Sequence, residues 1–360
     1  MSLLYKEDWD AAKEHFKAWW AGEVIKRCAI AVTAPREKPP PAPKPARPPT
    51  PEQRWFDLDY ISALSDYNHS RTFYGGEAFP AWDYGYPGNK SLGVFLGCKI
   101  TLDFDTGWID PVLTADDIDY KSLKLDESNY YWKYMLKWLG RGAEEAPGKT
   151  IPAIGAFGGS GDTLAWVRGT DRLLYDVIDR PEQVAAADMH LMDIWIQAYE
   201  RFYPIIKDAA QGSTCWFPLW APGKFYAAQN DFSYNISPNM FRDLFLPVVE
   251  KQTNYLDYSV YHVDGVNSFA HIDALCELKK LQALQILPGA GKPSPLHYMD
   301  VLKKVQARGK NLHISIPASE VKTALRELSA KGLFIHTSCD TEDAARALLK
   351  NVEKWSKDRA

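Results

Sequence analysis

The chain has 360 residues, 46% of them hydrophobic and 24% charged, which is enough apolar material for a large core. A formal net charge of −4 argues against the broad basic field that nucleic acid requires. No apolar run approaches the roughly 18 residues that span a bilayer, and five cysteines, an odd number in a long chain, do not make a disulfide framework.

The first residues carry Glu7 and Asp8 where a signal peptide has a basic head and an apolar run. No targeting segment is read there, and a cytoplasmic location is expected. An N-terminal helical extension over about residues 1–25 is expected, its helix running from Lys6 to Ala21 with Trp9, Phe16, Trp19 and Trp20 sharing a face. Cys28 to Thr33 reads as a buried strand. The proline-rich run 39–51 cannot enter helix or sheet and reads as a stiff surface loop. Val94–Gly97 and Ile100–Phe104 look like sheet.

From Ile151 strand and helix patterns alternate. Strands are expected at Ile151–Phe157, Thr214–Leu219, Ser259–His262, Gln282–Leu287, Leu312–Ile316 and Leu333–His336. Helices are expected at Thr163–Ile178, Pro181–Lys207, Pro238–Leu256, Ile272–Lys279, Pro295–Ala307, Ala318–Leu328 and from Thr341 to about Lys357. Alternation of this kind argues for a parallel α/β sheet. Six strands here and two earlier ones predict a single-domain (β/α)8 TIM barrel. Gly155–Gly161 is glycine-rich before a helix; without a Walker lysine it reads as a tight turn at a pocket rim, although a phosphate on the helix N–H groups would also suit it.

Cys28, Cys98, Cys215 and Cys276 sit in apolar contexts and read as buried small hydrophobes. Cys339 differs: it lies among polar residues just past the last strand. Together with His262 and Asp264 it gives three metal-ligating groups at strand ends, which share one face in a parallel barrel. Zinc accepts nitrogen, sulfur and carboxylate donors and, in catalytic sites, keeps one position open. The chain also holds 13 Trp, 19 Tyr and 15 Phe, many in expected loops such as Trp82–Tyr86 and Trp216–Trp220, which predicts an aromatic-lined pocket for an organic ligand.

Tyr261-His262-Val263-Asp264-Gly265, then Leu275, Leu284-Gln285 and Pro288-Gly289-Ala290-Gly291, resembles the uroporphyrinogen decarboxylase-type barrel superfamily. Asp231-Phe232-Ser233-Tyr234-Asn235-Ile236-Ser237-Pro238, followed by Met240-Phe241 and Leu246-Pro247, is similar to the same group. The resemblance runs from about Ile151 to Trp355. One branch is the decarboxylase itself, whose early arginine-rich signature is missing here; only Arg27 and Arg36 flank the first strand. The other is the corrinoid-linked methyltransferases, including the methylcobalamin:coenzyme M type, with a His-x-Cys zinc motif and a second Cys some 75 positions on. Here His262-x-Asp264 precedes Cys339, and 339 − 264 = 75, with Asp standing for the first Cys.

The resemblance implies Zn²⁺ on His262, Asp264 and Cys339, with Glu320 as a loose fourth ligand and His262 and Cys339 as catalytic groups. It implies methyl transfer between a methylated small molecule and a corrinoid protein. The chain has no Asp-x-His-x-x-Gly motif of its own, so the corrinoid is expected on a partner. A carboxylate in place of a thiolate makes the zinc a harder Lewis acid, which suits loss of a methyl from oxygen or nitrogen. Trp220, Asp231, Tyr234, Gln285, Trp166, Asp162 and His313 are the expected substrate-binding residues; His336 is expected to support the site. Two alternatives stay open: a decarboxylase of an organic acid on the same fold, and a barrel that binds a small molecule or a corrinoid protein without turnover. No nucleic acid and no membrane partner are expected.

Overall fold

The computed structural model describes residues 2–358 except 84, 86, 117 and 118. Tyr84 and Tyr86, two of the loop aromatics of the Trp82–Tyr86 run, therefore lie outside the described residues. The strands are β1 (Ala29–Pro35), β2 (Thr72–Gly76), β3 (Ala81–Trp82), β4 (Lys99–Leu102), β5 (Gly107–Asp110), β6 (Ile151–Pro152), β7 (Ser213–Thr214), β8 (Trp220–Ala221), β9 (Phe225–Gln229), β10 (Tyr258–Asp264), β11 (Ala283–Leu287), β12 (Asn311–Ser315) and β13 (Leu333–Ser338).

Seven of them form one sheet in the order β2-β1-β13-β12-β11-β10-β9. Every pairing in it is parallel except β1 with β2. The fold is mixed α/β with this parallel-dominated sheet at its centre. β3 and β6 make a separate parallel pair, and an isolated parallel bridge joins Ile154 to Cys215. Because β1 and β9 to β13 run the same way, their carboxyl ends share one edge.

The helix Trp9–Trp20 closes the opposite edge. Trp9, Phe16 and Trp19 are almost fully buried, and Phe16 stacks on Phe334 at 5.9 Å. The Trp19 Nε1 donates to the carbonyl of Gly332, just before β13, and the Asn311 amide at the start of β12 donates to the carbonyl of Trp19. Each large aromatic buried this way contributes roughly 1.5–3 kcal/mol, and the Trp19 indole N–H is satisfied as a buried indole requires.

Several boundaries depart from the sequence reading for physical reasons. Val94–Gly97 is not sheet: Leu92–Phe95 is a helical turn, capped by Ser91, whose hydroxyl accepts from the Val94 N–H. Ile100 does lie in a strand, paired in the β4–β5 hairpin. The expected helix Thr163–Ile178 is two helices, broken at Gly169 with φ of 88°. The expected helix Pro238–Leu256 widens into a π turn over Phe241–Phe245, because Pro247 has no N–H to offer the preceding turn. The stretch Thr214–Leu219 contains only the end of β7, which pairs back on β8. The true sheet member is β9, whose run Phe225–Gln229 is buried without alternation and so carries no period-2 signal. Residues 39–50 are largely exposed and free of helix and strand, as expected, but Pro51 opens the helix Pro51–Phe56 at its first position, where the missing N–H has no partner to lose. Arg71 ties the loop down by donating to the carbonyls of Pro40 and Ala42. Among the described residues, no helix is long and apolar enough to cross a membrane.

Candidate metal centre and its cavity

Parallel register sets neighbours on one face of the sheet. Gln229 pairs with His262, His262 with Gln285, Gln285 with His313, and His313 with Phe334. One step towards the carboxyl edge on that face come Asp264, Ser315 and His336. A polar file therefore lies across β9 to β13, where a sheet face buried throughout would be apolar. β10 stays regular through Asp264, two residues longer than the sequence reading, so His262 and Asp264 point the same way.

The loop after β9 brings the third member. A short 3-10 turn covers Asp231–Asn235, and Asn230 caps it by accepting from the Ser233 N–H. Among the described residues, Asp231, His262 and Asp264 form the one group of three His, Cys, Asp or Glu side chains that could hold a metal. Their ligand atoms all lie within 4.8 Å of one another. Asp231 is the most exposed residue of the three although its carboxyl turns against the pocket wall, Asp264 is half-buried and His262 is buried.

The support beneath this group is specific. Asp162 is buried; one carboxylate oxygen accepts from the N–H groups of Asp231 and Phe232, at 2.6 and 3.3 Å, and the other accepts from Gln229 Nε2 at 2.6 Å. Gln285 Oε1 hydrogen-bonds His262 Nδ1. With an amide oxygen as acceptor, Nδ1 carries the proton, so Nε2 is the free nitrogen. The nearest carboxylate oxygen to that Nε2, on Asp264, is 3.6 Å away, beyond hydrogen-bonding reach. Trp216 and Phe217 pack edge-on against the imidazole at 5.2 and 5.7 Å.

The electrostatics follow from this crowding. Burial alone lowers the His262 pKa, but facing Asp264, the Asp231 charge and the Gln285 bond outweigh it, and the pKa is raised above the ordinary value. Asp231 is raised, first by loss of water against the pocket wall and then by Asp264, although His262 opposes both. Burial first, then the Asp231 charge, also raises Asp162. Carboxylates that crowd one imidazole attract a positive charge, which can be a proton or a metal ion.

A cavity of about 310 Å³ adjoins the group, lined by Asp231, Tyr234, Asn235, Asp264, Gly265 and Gly289 among others. Gly265 has φ of 83°, and a Cβ there would stand 2.5 Å from the Tyr234 ring, so glycine is required for the two loops to meet. A second cavity, of about 710 Å³, opens at the ends of β12 and β13 and is lined by Ser315, His336, Thr337, Ser338, Cys339 and neighbours.

The sequence-expected residues distribute between these places. His262, Asp264 and Asp231 converge, and Tyr234 walls the adjoining cavity. Gln285 and Asp162 lie directly beneath, each bonded to a member of the group or to its backbone. Cys339 stands outside the group of three and lines the second cavity. Glu320 is also outside it and accepts from the Ser294 hydroxyl. His313 is fully buried between Phe217 and Phe334, with neither ring nitrogen hydrogen-bonded. Trp166 is half-buried against the Gly158 turn. Trp220 is in the core: it packs on Trp9 and Phe16 and donates to the Ala210 carbonyl.

Sequence reasoning missed Gln229 and the role of Asp162. An acid opening the helix Asp162–Arg168 looks like an ordinary dipole partner, and nothing in the sequence shows that its oxygens turn to the loop after β9. Arg27, the cation nearest the first strand, is engaged in a bidentate pair with buried Glu77.

No family model and no curated protein sequence matches the chain. Among solved structures, a methyltransferase from Methanosarcina mazei matches with a TM-score of 0.59 at 12% identity. The match covers 96% of this chain and 98% of that one. At this identity the likeness shows a shared fold from end to end.

Proposed function

We propose that this chain is a metal-assisted methyltransferase that takes a methyl group from oxygen or nitrogen of a small molecule and passes it to a corrinoid protein. The observation that carries the reading is His262 Nε2, turned by the Gln285 bond toward two carboxylates beside a small cavity. The end-to-end fold likeness to a methyltransferase supports it. We also take the seven-stranded sheet, the β3–β6 pair and the Ile154–Cys215 bridge to be parts of one (β/α)8 barrel, which places the site at the carboxyl ends where such barrels build chemistry.

The residues present suit a divalent metal, and zinc is the candidate. His262 offers a neutral imidazole nitrogen whose partner N–H is fixed, the usual arrangement of a metal-bound histidine. Carboxylates supply the compensating charge. When bound, the metal would act as a Lewis acid on the heteroatom that gives up the methyl. Tyr234, Asn235 and the Gly265 and Gly289 loops would bind and orient the donor molecule. A cavity of about 310 Å³ accepts a small molecule and not a corrin ring, which supports a methyl acceptor carried by a partner. In the reaction the carbon–oxygen or carbon–nitrogen bond breaks with its electron pair on the heteroatom, which gains a proton from solvent. A reduced corrinoid on the partner would supply the electron pair that takes up the methyl carbon, so the transfer would balance without a further reductant.

The decarboxylase alternative has less support, since an acid substrate needs a cation and Arg27 is bound to Glu77. The test is to incubate the zinc-loaded protein with reduced cobalamin and a panel of methoxylated and N-methylated compounds. Methylcobalamin formation, followed by absorbance, is expected with at least one donor. No cobalt methylation above the protein-free rate across the panel would overturn the reading.

A further inference from the structure

The resemblance in sequence pairs His262 and Asp264 with Cys339, but the structure assigns a different third donor. We infer that the metal centre is Asp231, His262 and Asp264, a one-nitrogen, two-carboxylate set without sulfur. This deepens the proposed function and rests on it.

Three independent observations converge. The first is proximity: the donor atoms of these three residues lie within 4.8 Å of one another, and Cys339 is not among them. The second is the direction of the imidazole. His262 is nine-tenths buried, its Nδ1 is used by Gln285, and its Nε2 therefore faces the carboxylates, with Asp264 Oδ2 at 3.6 Å. The third is that the backbone carrying Asp231 is held in place. Asp162 binds the Asp231 N–H at 2.6 Å and the Phe232 N–H at 3.3 Å, while Ser160 and Gly161, just before it, are themselves bonded to buried Asp188. An exposed loop carboxylate would ordinarily be mobile; this one starts from a fixed backbone.

Cys339 has a different setting. Its N–H is bonded to the carbonyl of Thr33, so the residue continues the β13 edge beside β1. Its side chain lines the cavity with Ser315, His336 and Ser338, three strands away from β10 in the sheet order. The consequence is chemical. Hard oxygen donors favour zinc or manganese over soft cations such as cadmium, whereas a thiolate ligand reverses that bias. The same set lowers the electron density on the metal and favours activation of an oxygen or nitrogen leaving group over a thiol.

The experiment uses the full chain, stripped with chelator and reloaded with Zn²⁺, then with Co²⁺ as a spectroscopic probe. Zinc affinity is measured by chelator competition in the wild type, Asp231→Asn, Asp264→Asn and Cys339→Ser. Loss of a ligand should weaken zinc by roughly tenfold or more in either aspartate variant, with Cys339→Ser within about twofold of the wild type. The cobalt-loaded protein should lack a near-ultraviolet thiolate-to-cobalt band. Thermal melts of the metal-free variants check the fold, and Asp264→Asn gives a second readout if Asp231→Asn is unstable. A thiolate band that vanishes in Cys339→Ser, or zinc lost in that variant and kept in Asp231→Asn, overturns this ligand set while leaving a metal-assisted enzyme standing. Failure of the wild type to bind zinc or cobalt overturns both.

Discussion

Two places at the carboxyl edge of the sheet hold the groups that sequence would join into one site, and they differ in how they are built. Around β9, β10 and β11, the polar groups beneath the cluster are tied to it or to its backbone: Asp162 accepts from the Asp231 N–H and from Gln229, and Gln285 Oε1 bonds His262 Nδ1. Around β12 and β13, polar groups share a wall without a network. His336 has only the Ser315 hydroxyl at 3.5 Å, Thr337 Oγ1 is buried without a partner, and His313 has none at either nitrogen. A network that fixes donor directions makes a preorganised site; polar groups that merely share a face do not.

The largest expected effect comes from His262→Ala. It removes the one nitrogen donor and leaves two carboxylates crowded together without their cation. Zinc binding and cobalt methylation should both be abolished, while His336→Ala should leave zinc bound. Equal loss in both variants, measured by metal analysis after gel filtration, would erase the contrast between the two regions.

Next comes Gln285→Leu, which keeps the volume and removes the acceptor for His262 Nδ1. Zinc affinity should fall by roughly 10- to 100-fold, the usual cost of losing the partner that orients a ligating histidine. Gln285→Glu should recover most of it, because a carboxylate accepts the same proton. If Leu and Glu behave alike, the Gln285 bond is packing and the tautomer argument fails.

How much of this was legible in the sequence depends on the range of the interaction. The β10 motif and the helix Trp9–Trp20 were readable because their signals are local: a strand pattern ending in His262 and Asp264, and aromatic residues at helical spacing. β9 was not, since Phe225–Gln229 is buried on both sides and lacks alternation, and Pro218 and Pro222 scatter the pattern before it. Asp231 was placed in the pocket, yet its partnership with His262 depends on Asp162, 69 positions away. Trp220 looked like a pocket aromatic because it follows a proline-containing turn; its place under Trp9 comes from a helix some 200 positions distant. Register between strands, which sets who faces whom, leaves no mark in either strand alone.

A smaller effect probes the anchor behind Asp231. Asp188 is buried and accepts from the Ser160 hydroxyl at 2.7 Å and the Gly161 N–H at 2.8 Å. Burial pushes its carboxyl up to about 7, against those two bonds. A raised pKa means the folded state holds a proton that the unfolded chain has released. The stabilisation is fully present below the unfolded value of 3.8 and is lost as pH rises through about 7. Asp188→Asn removes this titration. Relative to the wild type, the variant should therefore gain stability between pH 5 and pH 8, by up to a few kcal/mol at about 1.4 kcal/mol per pKa unit. Urea unfolding at the two pH values reads it, and a difference that does not change with pH would show that Asp188 does not titrate in this range.

The smallest expected effect lies in the second region. His336 is half-buried, and burial pulls its pKa below the ordinary value, so it is neutral near pH 7. A neutral imidazole at 3.5 Å from one hydroxyl carries a weak hydrogen bond, worth on the order of 1 kcal/mol or less. His336→Gln should therefore leave zinc affinity within about twofold and shift unfolding by no more than about 1 kcal/mol. The result is informative in the other direction. His313 sits between the two regions, packed edge-on against Phe217, which also packs on His262, and against Phe334 on β13. If His336→Gln changes zinc affinity tenfold, packing through His313 and Phe217 couples the recess to the metal centre, and the two regions act as one site. If it does not, the aromatic edges around His313 insulate them, and the chemistry is confined to the ends of β9 and β10.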